Sequence, residues 1–160
     1  MRPKRVHNFG TYFVSTQTWG RRPPFRVDEL AKLLVSTLYD YRSRHSYLLH
    51  DFVVMPDHLH IIFTPRRITL ERAMQLVKGG YSHSVGETGK ASLEIWQPGF
   101  TDYRVRDHSD YLKHREYVHQ NPVHAGLCAA PEVYPYSSAN PAYELDEYVL
   151  VQRGAAALAG

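Results

Sequence analysis

Two histidines separated by one residue, His58 and His60, form the first feature whose chemistry can be inferred from residue types and spacing. Side chains at positions i and i+2 of a β-strand lie on the same face, so a strand here presents two imidazoles side by side. The apolar residues around the pair would bury both imidazoles, and a buried imidazole needs a polar partner. The pair therefore predicts a metal site with a third ligand supplied by the fold. The alternative is a chance spacing among ten histidines.

Tyr117 and Asn121 lie four residues apart in a segment whose pattern indicates a helix, which places both side chains on one helical face. A phenol with a pKa near 10 is a weak nucleophile at neutral pH and needs a metal or a base close by. Asn121 offers a carbonyl oxygen to the same metal, with Gln120 as the competing ligand. The structural alternatives are a tyrosine that only covers the sheet and an asparagine that only caps the helix. If this face covers the histidine strand, a metal and a nucleophile meet.

The composition is that of a globular protein without membrane segments. The chain has 160 residues, 19 Lys and Arg against 16 Asp and Glu, a formal charge of +3 and a pI near 9.0, which suits a polyanionic partner. Cys128 is the single cysteine, which excludes an internal disulfide or a multi-cysteine zinc site and favours a reducing cytoplasm. No apolar run approaches the roughly 18 residues that span a bilayer. We expect a cytoplasmic protein with no membrane contact.

The apolar periodicity predicts seven elements in the order β-α-β-β-α-β-α. Strands are predicted at 11–18, 47–55, 58–63 and 93–97, with a further extended piece at 100–105. Helices are predicted at 28–44, from 69 to 79–80, and from 107 or 109 to about 120, where Asn121-Pro122 disfavours continuation. The polar stretch 81–90 is predicted as a loop.

This order predicts an α+β fold of the ferredoxin-like, RRM-like type, a split βαβ sandwich. Its antiparallel sheet has helices on one face, and an extra C-terminal helix carries Tyr117. We expect one domain over 1–160, with a core at about 11–138 and a frayed tail at 154–160.

Three blocks of sequence carry a family resemblance. They are VMPDHLHII at 54–62, WQPGF at 96–100 and YVHQNPVHAGL at 117–127. In order and spacing these blocks resemble the single-tyrosine HUH transposases, and among them the REP-associated tyrosine transposases, over roughly residues 11–138. His124 stands where a basic residue is more usual in this family, a departure that leaves the chemistry untouched.

The resemblance implies a metal-dependent HUH endonuclease of prokaryotes, associated with the nucleoid when bound to DNA. It implies that His58, His60 and Asn121 bind a divalent metal, Mg²⁺ or Mn²⁺, and that Tyr117 is the nucleophile. In such enzymes the tyrosine attacks a phosphodiester of single-stranded or hairpin DNA, forms a 5′-phosphotyrosine link and releases a 3′-hydroxyl. No nucleotide cofactor is expected, because the covalent ester preserves the energy of the broken bond.

DNA contacts are predicted from the positions of basic residues. Arg66 and Arg67 follow the histidine strand and are expected to contact phosphates beside the reacting one. The remaining candidates are Arg21, Arg22, Lys78 and Arg104. Trp19, Tyr103 and Phe100 are candidates for stacking on unpaired bases, with burial in the core as the alternative for Trp19 and Phe100.

Two other functions fit parts of the same pattern. A ferredoxin-like sheet with aromatic residues also describes catalytically silent nucleic-acid-binding modules. A metal-dependent phosphodiesterase that uses water would keep its activity without Tyr117. A homodimer is possible, because the helix that carries Tyr117 can pack on its own sheet or on that of a partner.

Overall fold

The computed structural model describes residues 10–89 and 94–149, which form one antiparallel sheet and three helices. The strands are β1 (Thr11–Gln17), β2 (Tyr47–Met55), β3 (His58–Pro65) and β4 (Thr101–Val105). The helices are α1 (Asp28–Ser43), α2 (Leu70–Glu87) and α3 (His108–His124). The order across the sheet is β2-β3-β1-β4, which confirms the predicted ferredoxin-like arrangement. Among the described residues, no helix combines the length and apolarity needed to cross a membrane.

The sheet is the middle layer of three, because its two faces are covered by different helices. Leu59, Ile61 and Phe63 of β3 belong to the apolar core that α1 and α2 share with one face of the sheet. Ile62 belongs to a second core on the opposite face, together with Val118 of α3. Side chains alternate along a strand, so His60 shares the face of Ile62. Helix α3 thus covers the face that carries the histidines.

A buried carboxylate fixes α3 on the sheet. Asp51 of β2 is only 1% exposed, and it lies next to a register irregularity in the β2–β3 pairing. Its oxygens accept hydrogen bonds from the Tyr111 hydroxyl at 2.5 Å, from His119 Nε2 at 2.8 Å and from the Ser138 hydroxyl at 2.8 Å. Tyr111, Val118 and Pro122 are the buried residues of α3, so its apolar contact is small. The polar network therefore contributes much of what orients this helix.

Helix α2 is longer than its sequence predicts. It continues through Gly79 and Gly80 to Glu87, so the loop predicted at 81–90 is wrong up to that point, while Lys90 lies outside the described residues. Tyr81 and Val85 are buried and extend the apolar stripe at four-residue intervals. Burial of this stripe outweighs the low helix propensity of the two glycines.

The fourth strand also differs from its prediction. Residues 94–97 contribute a single isolated bridge, between Trp96 and Thr18, and Leu93 lies outside the described residues. The strand β4 is instead the extended piece that was predicted at 100–105. The polar segment pairs with β1 because β1 leaves that edge free, a property that local sequence does not encode.

Helix α3 passes through Asn121-Pro122, where the sequence predicts an end. Pro122 removes one amide near the last turn, and the helix ends at His124. Gly126 follows with φ +74°, its amide donates to the Val123 carbonyl, and the Leu127 amide donates to the Pro122 carbonyl. Asn121 therefore stays helical, one turn beyond Tyr117. The predicted frayed tail at 154–160 lies outside the described residues.

The two adjacent glycines of α2 are expected to respond oppositely to alanine. A Cβ added at Gly79 has open space around it, whereas one at Gly80 would lie 2.5 Å from Tyr41 Oη and 2.8 Å from its Cε2. We expect Gly79→Ala to raise the free energy of unfolding by about 0.5–1 kcal/mol through helix propensity. Gly80→Ala should be at least about 1 kcal/mol less stable than Gly79→Ala, because the Tyr41 ring must move. Urea unfolding of both variants tests this, and equal gains would contradict it.

Candidate active site

The histidine pair lies at the start of β3, opposite the end of β1. His58 pairs with Gln17 and His60 with Ser15 in the antiparallel register. The centroids of the two imidazole rings are 4.7 Å apart, with an angle of 78° between the ring planes. The structure therefore places the two imidazoles side by side, as the i, i+2 spacing predicts.

Each imidazole has its Nδ1 engaged by a neighbouring oxygen. Nδ1 of His58 lies 2.7 Å from Asp57 Oδ1, and Nδ1 of His60 lies 2.6 Å from Ser15 Oγ. Within the described residues, His60 Nε2 is the one buried side-chain nitrogen or oxygen without a hydrogen-bond partner. Histidines that bind metals have their second nitrogen held by such a hydrogen bond. The orphaned Nε2 and the two held Nδ1 atoms fit a bound metal ion.

Burial keeps His60 neutral. Desolvation, with the charge of His58 as a smaller cause, lowers the pKa of His60 from 6.5 to about 3. A neutral imidazole has a free lone pair on one nitrogen, as metal binding requires. At neutral pH this side chain is therefore available as a ligand without losing a proton.

The same burial predicts an acid-sensitive stability of the metal-free protein. The pKa of His60 is lower in the folded state than its ordinary 6.5, so protons bind first to the unfolded chain. The stabilisation is fully present above about pH 6.5 and is lost as the pH falls toward 3, by up to about 1.4 kcal/mol per pH unit. Between pH 6.5 and 5, urea unfolding with chelator should show a steeper loss for the wild type than for His60→Gln. Equal slopes would contradict this prediction.

Tyr117 lies above the histidine pair. Its ring centroid is 5.4 Å from that of His60 and 5.9 Å from that of Phe13, and the side chain is 52% exposed. Tyr117, Asn121 and both histidines line one open cavity of about 770 Å³. Gln120 is not part of the lining, so the geometry favours Asn121 over Gln120 as the third polar group. The cavity brings together a phenol, two imidazoles and an amide.

The segment after Trp96 forms another side of this cavity, and Lys78 of α2 holds it there. Its ammonium donates to the carbonyls of Gln97 at 2.9 Å and Gly99 at 2.7 Å, and Trp96 Nε1 donates to the Lys78 carbonyl at 3.1 Å. Burial lowers the pKa of Lys78. Lys78 is predicted from sequence to contact DNA, but its donors are directed to these carbonyls. No sequence signal indicates this pairing, because the two segments are far apart in the chain.

The other basic candidates are spread over the surface. Arg21 lines the cavity, and Arg22 follows it in the same turn. Arg104 lies on β4 outside the cavity lining. Arg66 and Arg67 follow the opposite end of β3, about 20 Å from His60 at roughly 3.3 Å per strand residue. A contact of these arginines with DNA stays a prediction, and their position at this end of β3 favours phosphates away from the histidines.

Residues 12–121 match the family described as Transposase IS200 like. The chain belongs to this family. A REP-associated tyrosine transposase of Escherichia coli K12 is 26% identical over 131 residues, which cover 81% of this chain and 76% of that protein. These matches confirm the resemblance that the three sequence blocks indicate. The protein is therefore a DNA transposase by family.

Two solved structures share the fold of this transposase. The first is a REP-associated tyrosine transposase bound to a REP hairpin, with a TM-score of 0.72, 22% identity, and coverage of 96% of this chain and 98% of that chain. The second is a crystal structure from Deinococcus radiodurans with a TM-score of 0.53, 21% identity, and coverage of 74% and 95%. At these identities the likeness concerns the fold.

Proposed function

We propose that this transposase nicks and rejoins single-stranded DNA through a covalent 5′-phosphotyrosine intermediate on Tyr117. The observation that carries this proposal is the position of Tyr117 over His58 and His60 in one open cavity. Family membership supplies the reaction class, and the site supplies the nucleophile. The 52% exposure of Tyr117 leaves room for a DNA backbone to reach the phenol.

His58 and His60, through Nε2, and Asn121, through its side-chain oxygen, are proposed to hold a divalent metal, Mg²⁺ or Mn²⁺. Imidazole ligands favour Mn²⁺, whereas an oxygen-rich shell completed by phosphate and water suits either ion. When bound, the metal supplies charge neutralisation at the phosphate oxygens and orients the phosphate for in-line attack. Asp57 and Ser15 fix the orientation of the two imidazoles.

The chemical step is a transesterification in which the phenolic oxygen of Tyr117 takes the place of a deoxyribose 3′-oxygen. The bond from Tyr117 Oη to phosphorus forms while the bond from phosphorus to the 3′-oxygen breaks. The phenol loses its proton, and the departing 3′-oxygen gains one to become a 3′-hydroxyl. Attack by a 3′-hydroxyl on the phosphotyrosine reverses these changes and rejoins the strand. No bond energy is lost, so the cycle requires no nucleotide cofactor.

The DNA is proposed to be a hairpin or a repeat with a single-stranded flank. The structural relative bound to a REP hairpin supports this class of substrate. Arg21 in the cavity lining offers a cation for the flank. The proposed active-site groups of one chain line a single cavity. A homodimer and a nucleoid-associated location stay predictions.

The proposal is tested with hairpin DNA labelled at either end of the cleaved strand. After incubation with Mn²⁺ or Mg²⁺, denaturing electrophoresis should show the 3′-side label attached to protein and the 5′-side label released. The released fragment should be extended by a polymerase, because it ends in a 3′-hydroxyl. Cleavage without attachment indicates hydrolysis by water. Binding without cleavage across several hairpins indicates a silent nucleic-acid-binding module.

Lys78 and Arg21 are expected to differ in the salt dependence of DNA binding. Lys78 donates to two carbonyls of its own chain, whereas Arg21 lies in the cavity with 69% of its side chain exposed. Arg21→Met should reduce the slope of log K against log salt by about 0.7–0.9, the value for one phosphate contact on single or double strands. Lys78→Met should leave the slope unchanged and slow adduct formation. Fluorescence anisotropy at several salt concentrations measures both, and a reduced slope for Lys78→Met would contradict the structural role.

A further inference from the structure

A second cavity lies beside the active-site cavity, on the other side of the turn that follows β1. It has a volume of about 400 Å³, within the range of small-ligand pockets. We call it the Trp19 pocket, and its lining includes Trp19, Arg22, Pro23, Pro24, Leu30 and Tyr81. Most of this lining is apolar, yet Trp19 remains 41% exposed. The pocket therefore presents an accessible indole beside the cation of Arg22.

The turn between the two cavities is held in place by several hydrogen bonds. The buried Thr18 hydroxyl donates to the Arg22 carbonyl at 2.6 Å, and the Thr18 amide donates to the Asp57 carbonyl at 2.9 Å. The Trp19 amide donates to the Ile95 carbonyl at 2.9 Å. The same Asp57 engages the imidazole of His58. The position of the turn is therefore tied directly to the histidine pair.

The backbone of this turn is in a conformation that side chains rarely adopt. Gly20 has φ +59° and Arg21 has φ +52°, so two successive residues are left-handed. A non-glycine residue in this region is strained, and such strain occurs preferentially at functional sites. With this left-handed backbone at Gly20 and Arg21, the Arg21 side chain lines the active-site cavity while Trp19 and Arg22 line the neighbouring pocket.

We propose that the Trp19 pocket binds one unpaired base of the DNA strand that enters the active-site cavity. This inference rests on the proposed function and adds a position at which the strand is held. The occupant follows from chemistry: a nucleotide combines an aromatic ring with a phosphate, and the pocket combines an exposed indole with an arginine. Base stacking on an aromatic side chain tolerates any base, and the arginines neutralise the phosphates on either side.

The charges around the pocket agree with this occupant. Arg22 has no acidic partner within the part of the chain that the structure describes, and Arg21 is 4.0 Å from Asp57 with most of its side chain in solvent. Glu94 is the acidic residue of the lining. Its carboxylate is an acceptor suited to the exocyclic amine of a base rather than to a phosphate. The turn therefore offers separate groups to base and backbone.

Abasic substitution tests the proposal, because it removes one base and keeps every phosphate. A hairpin with a single-stranded flank is synthesised with one abasic site at each flank position in turn. Its affinity for the Tyr117→Phe protein, which is expected not to cleave, is measured by anisotropy with Mn²⁺. One position near the reacting phosphate should lose about 5- to 150-fold in affinity, the range for one stacked base.

Measuring the abasic DNAs with protein variants shows whether this loss of affinity arises in the Trp19 pocket. In Trp19→Ala the intact strand should bind about 5- to 150-fold more weakly, and the abasic site at that position should cost nothing further. Trp19→Phe keeps a ring and should retain most of the affinity. Val133→Ala, which shortens an exposed apolar side chain outside both cavities, should leave the abasic penalty intact. A full abasic penalty in Trp19→Ala, or no sensitive position at all, overturns the proposal.

The outcome is distinguishable from a failure of the proposed function. If the wild type forms a metal-dependent covalent adduct while Trp19→Ala binds the intact strand normally, transesterification stands and the pocket assignment is wrong. If the coupling between Trp19 and one base is found but no adduct forms, the pocket assignment stands and the proposed reaction is wrong. Circular dichroism of each variant confirms that the compared proteins are folded.

Discussion

Tyr117→Phe is expected to abolish covalent attachment to DNA while leaving DNA binding within about twofold of the wild type. The change removes only the phenolic oxygen, so the ring contacts with His60 and Phe13 are kept. Loss of a nucleophile typically costs several orders of magnitude in rate, here at least about 10⁴-fold. The rate is measured as SDS-resistant adduct formed in a single turnover with saturating hairpin DNA and Mn²⁺.

Tyr103→Phe is the matched control for this prediction. Tyr103 is an exposed tyrosine on β4, and its hydroxyl donates to Asp110 Oδ1 at 3.3 Å. It should form adduct at nearly the wild-type rate. An adduct of Tyr117→Phe at a comparable rate would show that another residue is the nucleophile. Strand cleavage by Tyr117→Phe without an adduct would favour hydrolysis by water.

Loss of either histidine is expected to weaken divalent metal binding at least about 100-fold, because fewer protein ligands remain. The variants His58→Ala and His60→Ala are titrated with Mn²⁺ in the absence of DNA, and their affinities are measured by calorimetry. Neither change should unfold the protein, since both residues lie at one end of a strand whose other residues form the core. Unchanged Mn²⁺ affinity in both variants would contradict the assigned metal site.

Asn121 and Gln120 form a matched pair for the third ligand. Asn121 lines the cavity with the histidines, and Gln120 does not. Asn121→Ala should weaken Mn²⁺ binding by at least about tenfold, whereas Gln120→Ala should bind Mn²⁺ like the wild type. The reverse order would assign the ligand to Gln120. Equal affinities of both variants and the wild type would leave the two histidines as the only protein ligands and contradict the role of Asn121.

The central parts of the site are predictable from sequence because two short-range periodicities set them. The i, i+2 spacing places His58 and His60 on one face of β3, and the i, i+4 spacing places Tyr117 and Asn121 on one face of α3. The order of elements then predicts the sheet. The four side chains meet in one cavity only if α3 lies on the histidine face of the sheet. This position of α3 depends on the buried Asp51 and its partners in α3. A lone buried aspartate gives no such signal in the sequence.

The features of the structure that the sequence does not predict depend on long-range contacts. Arg66 and Arg67 follow the histidine strand in sequence, but the direction of β3 carries them away from the end that holds His58 and His60. Lys78 is a basic residue like the others, and its role in holding the Trp96 segment appears only when α2 lies beside that segment. Gly79 and Gly80 favour a loop locally, yet burial of Tyr81 and Val85 maintains the helix. Intrinsic secondary-structure propensity is overridden where the fold buries a large apolar surface.

The most direct test of the proposed mechanism is to identify the protein atom that is joined to DNA. The wild-type protein is incubated with hairpin DNA and Mn²⁺, digested with nuclease and protease, and analysed by mass spectrometry. The proposed mechanism predicts a peptide containing Tyr117 with a nucleotide attached through its 5′-phosphate to the phenolic oxygen. A nucleotide on any other residue, or a cleaved strand with no modified peptide, would contradict it.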